Sequence, residues 1–260
     1  MRTIALPDGL SVFGLNPDEA RFMHSEVFGA RCYLQHGVEL HDEDCVVDVG
    51  ANIGMATLFF HRERKGVRIF AFEPNPAAAG CLRANIELYG INARVFDCGL
   101  MSEPGTAEFT LYPANTVASG FRADADHERE ITRTYMINNG VAPHGADRFV
   151  EALYRREEKF VCPVRTLSEI VDEERLERID LLKINVERTE REVLGGIRQD
   201  HWMRIRQVAM EVTDLGGGLS AVVEMLRSLG FRVVVEQEPR LQGTPIYNLF
   251  ATKLPGQEIV

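Results

Sequence analysis

Val47-Asp48-Val49-Gly50-Ala51-Asn52-Ile53-Gly54 is the stretch on which the reading of this 260-residue chain turns. The run Cys45–Gly50 is apolar and ends in glycine. The sequence that follows, Ile53–Arg64, has helical periodicity, so the glycines mark a strand-to-helix turn. Working outward, Arg68–Glu73 predicts a second buried strand, Pro76–Tyr89 a second helix and Ala93–Cys98 a third strand. Strands alternating with helices at this spacing are the mark of βαβ units and a parallel sheet. The rhythm resumes with a helix over Thr166–Leu176, a strand over Ile179–Val186, a helix over Glu187–Ile197 and a strand over Gln207–Val212. After a helix over Leu219–Leu229, the strands Phe231–Glu236 and Ile246–Thr252 have only a loop between them, so they should pair antiparallel. The expectation is an α/β protein with a seven-stranded, mostly parallel, Rossmann-like sheet that ends in an antiparallel hairpin.

Two regions fall outside this rhythm. Residues 1–40 predict a helical cover over Pro17–Gly29, with Asn16 as cap and Pro17 in the first turn. Thr106–Tyr112 reads as an edge strand. Residues 113–160 are polar and broken by Pro113, Gly120, Gly140, Pro143 and Gly145, which reads as a lid insertion with helix over Ala125–Asn138. No linker divides the chain, so one domain over 1–260 is expected. Apolar content of 45% and charged content of 26% are those of an ordinary globule. A net charge of −10 opposes binding to nucleic acid or an anionic membrane. No apolar run approaches the roughly 20 residues of a membrane span. The first twenty residues lack a signal-peptide core, and the five cysteines form no CxxC pair, so reduced thiols and a cytoplasmic location are expected.

The chemistry starts at the same turn. It lies where an open α/β sheet binds ligands, and Gly50 and Gly54 permit close backbone approach. Asn52 stands where the dinucleotide fingerprint has its middle glycine. A side chain there crowds a pyrophosphate, whereas S-adenosylmethionine has none. Glu73 closes the second strand, where a carboxylate accepts hydrogen bonds from ribose hydroxyls. Asp97, after the third strand, is a candidate contact for the adenine amino group, and Glu26 for the amino group of the cofactor's methionine tail. The expected cofactor set is Glu26, Asp48, Gly50, Asn52, Gly54, Glu73 and Asp97.

These motifs, together with Phe72-Glu73-Pro74, Leu181-Leu182-Lys183-Ile184-Asn185-Val186-Glu187, Glu190 and Leu194-Gly195-Gly196, resemble the FkbM family of methyltransferases over about Glu26 to Thr252. The tail, with Gln207–Asp214, Gly230-Phe231, Glu236-Gln237 and Leu241–Thr244, resembles the subset found in polyketide and nonribosomal peptide pathways. The resemblance implies a class I methyltransferase fold, S-adenosylmethionine as donor, and O-methylation of a small-molecule or carrier-protein-tethered intermediate. The chain departs from the family pattern in three places. Asn185 stands where aspartate is common, Arg188 where glycine is frequent, and Thr213 where histidine is frequent.

An alcohol acceptor must lose its proton, and a positioned base contributes about 10²–10⁴-fold. Lys183 and Asn185 fall on one face at the end of the fourth strand. Lys183 is the candidate to orient or deprotonate the hydroxyl, and Asn185 to hydrogen-bond it. The alternative for Lys183 is a structural ion pair with Glu187 or Glu211. His24, on the N-terminal helix, is the other candidate base. Tyr33, Asn115, Ser119 and His144 are weaker pocket candidates. No cluster has metal-ligand spacing. Two other readings stay open: a nicotinamide-dependent oxidoreductase, and a catalytically silent adenosyl-binding module of a megasynthase.

Overall fold

A computed structural model describes residues 1–253. The strands, in chain order, are β1 (Arg2–Ala5), β2 (Ser11–Gly14), β3 (Cys45–Val49), β4 (Arg68–Phe72), β5 (Ala93–Phe96) and β6 (Gly99–Leu100). They continue as β7 (Gly105–Leu111), β8 (Glu158–Arg165), β9 (Leu181–Ile184), β10 (Gln207–Thr213), β11 (Phe231–Glu236) and β12 (Ile246–Lys253). Seven of them form the main sheet in the order β11-β12-β10-β9-β3-β4-β5. The pairs β3·β4, β3·β9, β4·β5 and β9·β10 are parallel. The strand β12 alone is reversed, pairing antiparallel with both β10 and β11.

Local sequence explains the joints. Asn75 caps the helix Pro76–Tyr89 by accepting from the Ala77 N–H, Pro76 occupies the first turn, and Gly90 ends it in the left-handed region. Thr166 and Glu169 form a reciprocal capping box that starts the helix Leu167–Glu173.

Strand alternation sorts the side chains into two cores. Val47, Val49, Leu182, Ile184, Val208 and Met210 face the helices Leu167–Glu173 and Gly218–Ser228. Val46, Leu181, Ala209 and Phe250 face the helix Met55–Glu63 and the N-terminal segment. Phe59 and Phe60 are fully buried there, worth roughly 1.5–3 kcal/mol each.

Three features were not expected from the sequence. Residues 1–40 contain the β1–β2 hairpin ahead of the helix Pro17–His24, which continues as a π-helical turn over Ser25–Gly29. The insertion carries the expected helix Ala125–Asn138 and a second one, Pro143–Leu153, which buries Ala146 and Val150. The strand β8 begins within the stretch read as lid, and β7 is the edge of a separate three-stranded sheet, β6-β8-β7. Among the described residues, no helix is long and apolar enough to cross a membrane.

Candidate functional site

At the carboxyl end of β3 the chain folds back tightly. The Gly50 and Ala51 N–H groups both donate to the Phe72 carbonyl at 3.1 and 3.0 Å, tying the turn to the end of β4. Gly50 has φ +75°, and a Cβ there would lie 1.9 Å from the Asn185 carbonyl oxygen. Only glycine lets the ends of β3 and β9 meet at this point.

Asp48 and Lys183 are paired residues of β3 and β9, and both are buried in the sheet face covered by the N-terminal segment. The Lys183 Nζ lies 2.8 Å from Asp48 Oδ1 and donates to the Gly50 and Val49 carbonyls at 2.8 and 3.1 Å. The ammonium is thus held by two backbone carbonyls and by the charge of Asp48. Asp48 Oδ2 accepts from the Thr57 hydroxyl at 2.7 Å. The pair therefore welds two strand ends and fixes the Gly50 carbonyl.

Glu73 ends β4 and is buried. Its two oxygens accept from the Asn52 and Asn75 N–H groups, both at 2.8 Å. Burial pushes its carboxyl up to about 7. A carboxylate has about four lone-pair sites, so acceptor capacity remains for a ligand hydroxyl.

These residues line one crevice. Gly50, Asn52 and Glu73 form its floor, Asn185 and Glu187 one wall, and residues 116–121 of the insertion its roof. The roof is anchored from the N-terminal helix, where Glu19 Oε1 accepts from the Thr116 hydroxyl at 2.9 Å and the Val117 N–H at 2.8 Å. The Asn52 amide donates to Thr116 Oγ1 at 3.0 Å. The crevice encloses about 60 Å³. That is smaller than the roughly 300–1,000 Å³ of ordinary ligand pockets.

Most other residues considered from the sequence lie elsewhere. His24 sits 3.2 Å from Asp8 Oδ2 and stacks on Phe28. Glu26 is clamped by both terminal nitrogens of Arg240 at 2.7 and 2.9 Å. Asp97 is exposed and bridged to Arg83 at 2.7 Å. None of the three lines the crevice. Gly54 lies below its floor, where it opens the helix Met55–Glu63. Tyr33 accepts a 3.2 Å hydrogen bond from the Asn185 amide, and Ser119 is in the roof. Asn115 donates to the Tyr154 hydroxyl, and His144 is exposed on the helix Pro143–Leu153. Glu19 and Thr116 carried no sequence signal of their own, and Glu187 was marked only as part of the family motif and as a possible partner of Lys183. Their grouping depends on contacts between distant segments. Among the described residues, no group of three or more His, Cys, Asp and Glu is placed to hold a metal ion.

Beyond the Glu187–Glu190 turn lies a second hollow of about 500 Å³, lined by Arg122, Arg188, Glu190, Arg191 and Thr213 among others. Glu190 accepts from the Arg188 N–H at 3.1 Å and from the Thr213 hydroxyl at 3.4 Å. Burial pushes its carboxyl up to about 8, from 4.5 in an exposed chain. The folded protein thus holds a proton that the unfolded chain releases near pH 4.5. Stability present below that pH falls as pH rises toward 8. In thermal denaturation at pH 5 and pH 8.5, Glu190→Gln should leave the first melting temperature unchanged. It should raise the second by about 6–12 °C, for a relief on the order of 3 kcal/mol. An equal shift at both pH values would contradict this assignment.

A glycine turn without a pyrophosphate fingerprint, beside a strand-end carboxylate on a seven-stranded sheet with one reversed strand, defines an S-adenosylmethionine-dependent methyltransferase. The floor fits the donor: Gly50 leaves room that a Cβ would fill, and Glu73 offers the sugar an acceptor. The model of the FkbM methyltransferase domain matches residues 48–233. The chain belongs to the FkbM methyltransferase family. It is 43% identical to the 31-O-demethyl-FK506 methyltransferase FkbM of Streptomyces tacrolimicus, with 98% of each chain covered. It is 35% identical to part of the AMB antimetabolite synthetase AmbE of Pseudomonas aeruginosa, covering 97% of this chain and 12% of that one. A crystal structure of the methyltransferase FkbM from Methylobacillus flagellatus shares the fold, with TM-score 0.55 and 15% identity over 85% of this chain and 47% of that one. S-adenosylmethionine is the methyl donor, and the nicotinamide reading falls with the family assignment.

Proposed function

We propose that the protein methylates a hydroxyl oxygen on a natural-product intermediate. The observation that carries this reading is the match, over 98% of each chain, to a relative whose name specifies methylation of 31-O-demethyl-FK506, an oxygen acceptor. When bound, the donor supplies a methyl group already activated by its sulfonium. The chain's own tasks are then to position, to exclude water and to take the hydroxyl proton. Glu73 would accept from the ribose hydroxyls. The turn Gly50–Asn52 would receive the methionine tail, and Lys183 holds the Gly50 carbonyl in place. Asn185, tied to Tyr33, presents its amide at the wall where the acceptor oxygen arrives. The net charge of −10 favours a small or carrier-tethered acceptor over a nucleic acid.

A carrier-bound acceptor is a second reading, favoured by the match to a segment of a synthetase. The silent-module alternative is decided by the same experiment. Thermal shift with S-adenosylhomocysteine and with NADH should show stabilisation by the first alone. Methyl-labelled donor should then transfer label to 31-O-demethyl-FK506 or to a hydroxyacyl carrier. Stabilisation by NADH alone defeats the reading, and binding without label transfer across both acceptor types favours the silent module.

A further inference from the structure

We propose that Glu187 is the proton acceptor of the transfer step, taking the hydroxyl proton from its place in the crevice wall; this rests on the O-methyl reading above. Two carboxylates line the crevice, Glu73 and Glu187. Glu73 is committed to two backbone N–H donors. The Glu187 carboxylate has no hydrogen-bond or ion-pair partner among the described residues. It lies two positions beyond Asn185, in the turn that leaves β9 and faces the crevice. Gly120 of the roof packs directly on it, since a Cβ at Gly120 would meet the Glu187 Cβ at 2.9 Å. That contact holds the side chain at the seam between wall and roof. The other candidate bases are placed elsewhere: Lys183 donates to two carbonyls and is ion-paired to Asp48, and His24 lies beside Asp8 outside the crevice.

The electrostatic surroundings agree. Burial raises the Glu187 carboxyl well above the ordinary carboxylate range. Glu128 of the insertion helix, Glu211 of β10 and Glu190 of its own turn add to the rise, while Arg188 opposes it. A carboxylate made more basic in this way suits general-base work. In the step, the acceptor oxygen forms its bond to the methyl carbon as the carbon–sulfur bond breaks. That electron pair stays on sulfur, and the hydroxyl proton passes to Glu187, which later releases it to solvent. No oxidant or metal is needed for the balance.

The donor carries a positive sulfonium and its product a neutral thioether, which permits a test independent of the acceptor. A cation beside Glu187 drives its proton off. Calorimetry near pH 7 in two buffers of different ionisation enthalpy should show more proton release on binding S-adenosylmethionine than S-adenosylhomocysteine. The excess should vanish in Glu187→Gln, with affinity for S-adenosylhomocysteine unchanged. With 31-O-demethyl-FK506 and labelled donor, Glu187→Gln should lose about 10²–10⁴-fold in turnover. Glu187→Asp should recover part of it together with the rising limb of the pH profile. Glu211→Gln removes a like charge and should move that limb to lower pH. Equal proton release with both ligands, or a Glu187→Gln enzyme that keeps both rate and limb, overturns the proposal. A wild-type protein that shows the proton release yet labels no hydroxyl counts against the O-methyl reading instead, leaving Glu187 in place at the sulfonium.

Discussion

Gly50→Ala is expected to remove roughly 3–5 kcal/mol of stability and to abolish cofactor binding. The new methyl group would stand 1.9 Å from the Asn185 carbonyl oxygen, 3.0 Å from its carbon and 3.3 Å from Val186 Cγ1. Those first two neighbours are backbone of the central strand end, so neither can rotate aside. A left-handed φ adds roughly 1–2 kcal/mol for an alanine. Relief requires β3 and β9 to part, which opens the floor of the crevice. The situation at Gly54 differs: the atom in the way is the Leu82 Cδ1 at 2.6 Å, the tip of a flexible side chain. The expected reading for Gly50→Ala is a melting temperature lower by about 6–20 °C, with no further shift on adding S-adenosylhomocysteine. Ligand stabilisation equal to wild type would show that the turn tolerates the parting.

Lys183→Met carries the other large effect. The Asp48 side chain is fully buried, and its Oδ1 faces the Lys183 ammonium at 2.8 Å. Removing the ammonium leaves a carboxylate without its counter-ion in an apolar layer, at a cost of about 3–5 kcal/mol. The Val49 and Gly50 carbonyls lose a donor at the same time. Changing both partners should cost less than the sum of the single changes, because Asp48→Asn/Lys183→Met leaves no buried charge. Denaturant unfolding of the four proteins in this cycle measures the coupling. Additive losses would mean that the two residues do not act as a pair. Lys183→Met should also weaken S-adenosylhomocysteine binding, since the Gly50 carbonyl would no longer be held.

Much of the architecture was legible in local chemistry. The helix Pro76–Tyr89 begins and ends where Asn75, Pro76 and Gly90 say it should, because caps act within a few residues of the backbone they serve. The apolar runs around Val47, Phe70 and Leu182 mark strands covered on both faces, and they occupy the middle of the sheet. The strand β8 was hidden because its outward residues are polar or, like Val161, exposed, and its partner β7 is reached only across the insertion. The hairpin β1–β2 was hidden for a similar reason: four-residue strands of mixed character give periodicity little to work on.

At the site, local chemistry was enough to mark the glycine turn, the strand-end carboxylate Glu73 and the need for a lysine among apolar strand residues to find a partner. Which partner was a matter of tertiary structure. Glu187 and Glu211 are near Lys183 in sequence or strand order, yet the ammonium turns to Asp48 on the neighbouring strand β3. Only the packed sheet decides which of several glutamates receives donors and which is left without one at the crevice. Hydrogen-bond satisfaction is settled by groups far apart along the chain. Glu19 on the N-terminal helix and Glu187 in the wall acquire their surroundings when the insertion folds back over the end of the sheet.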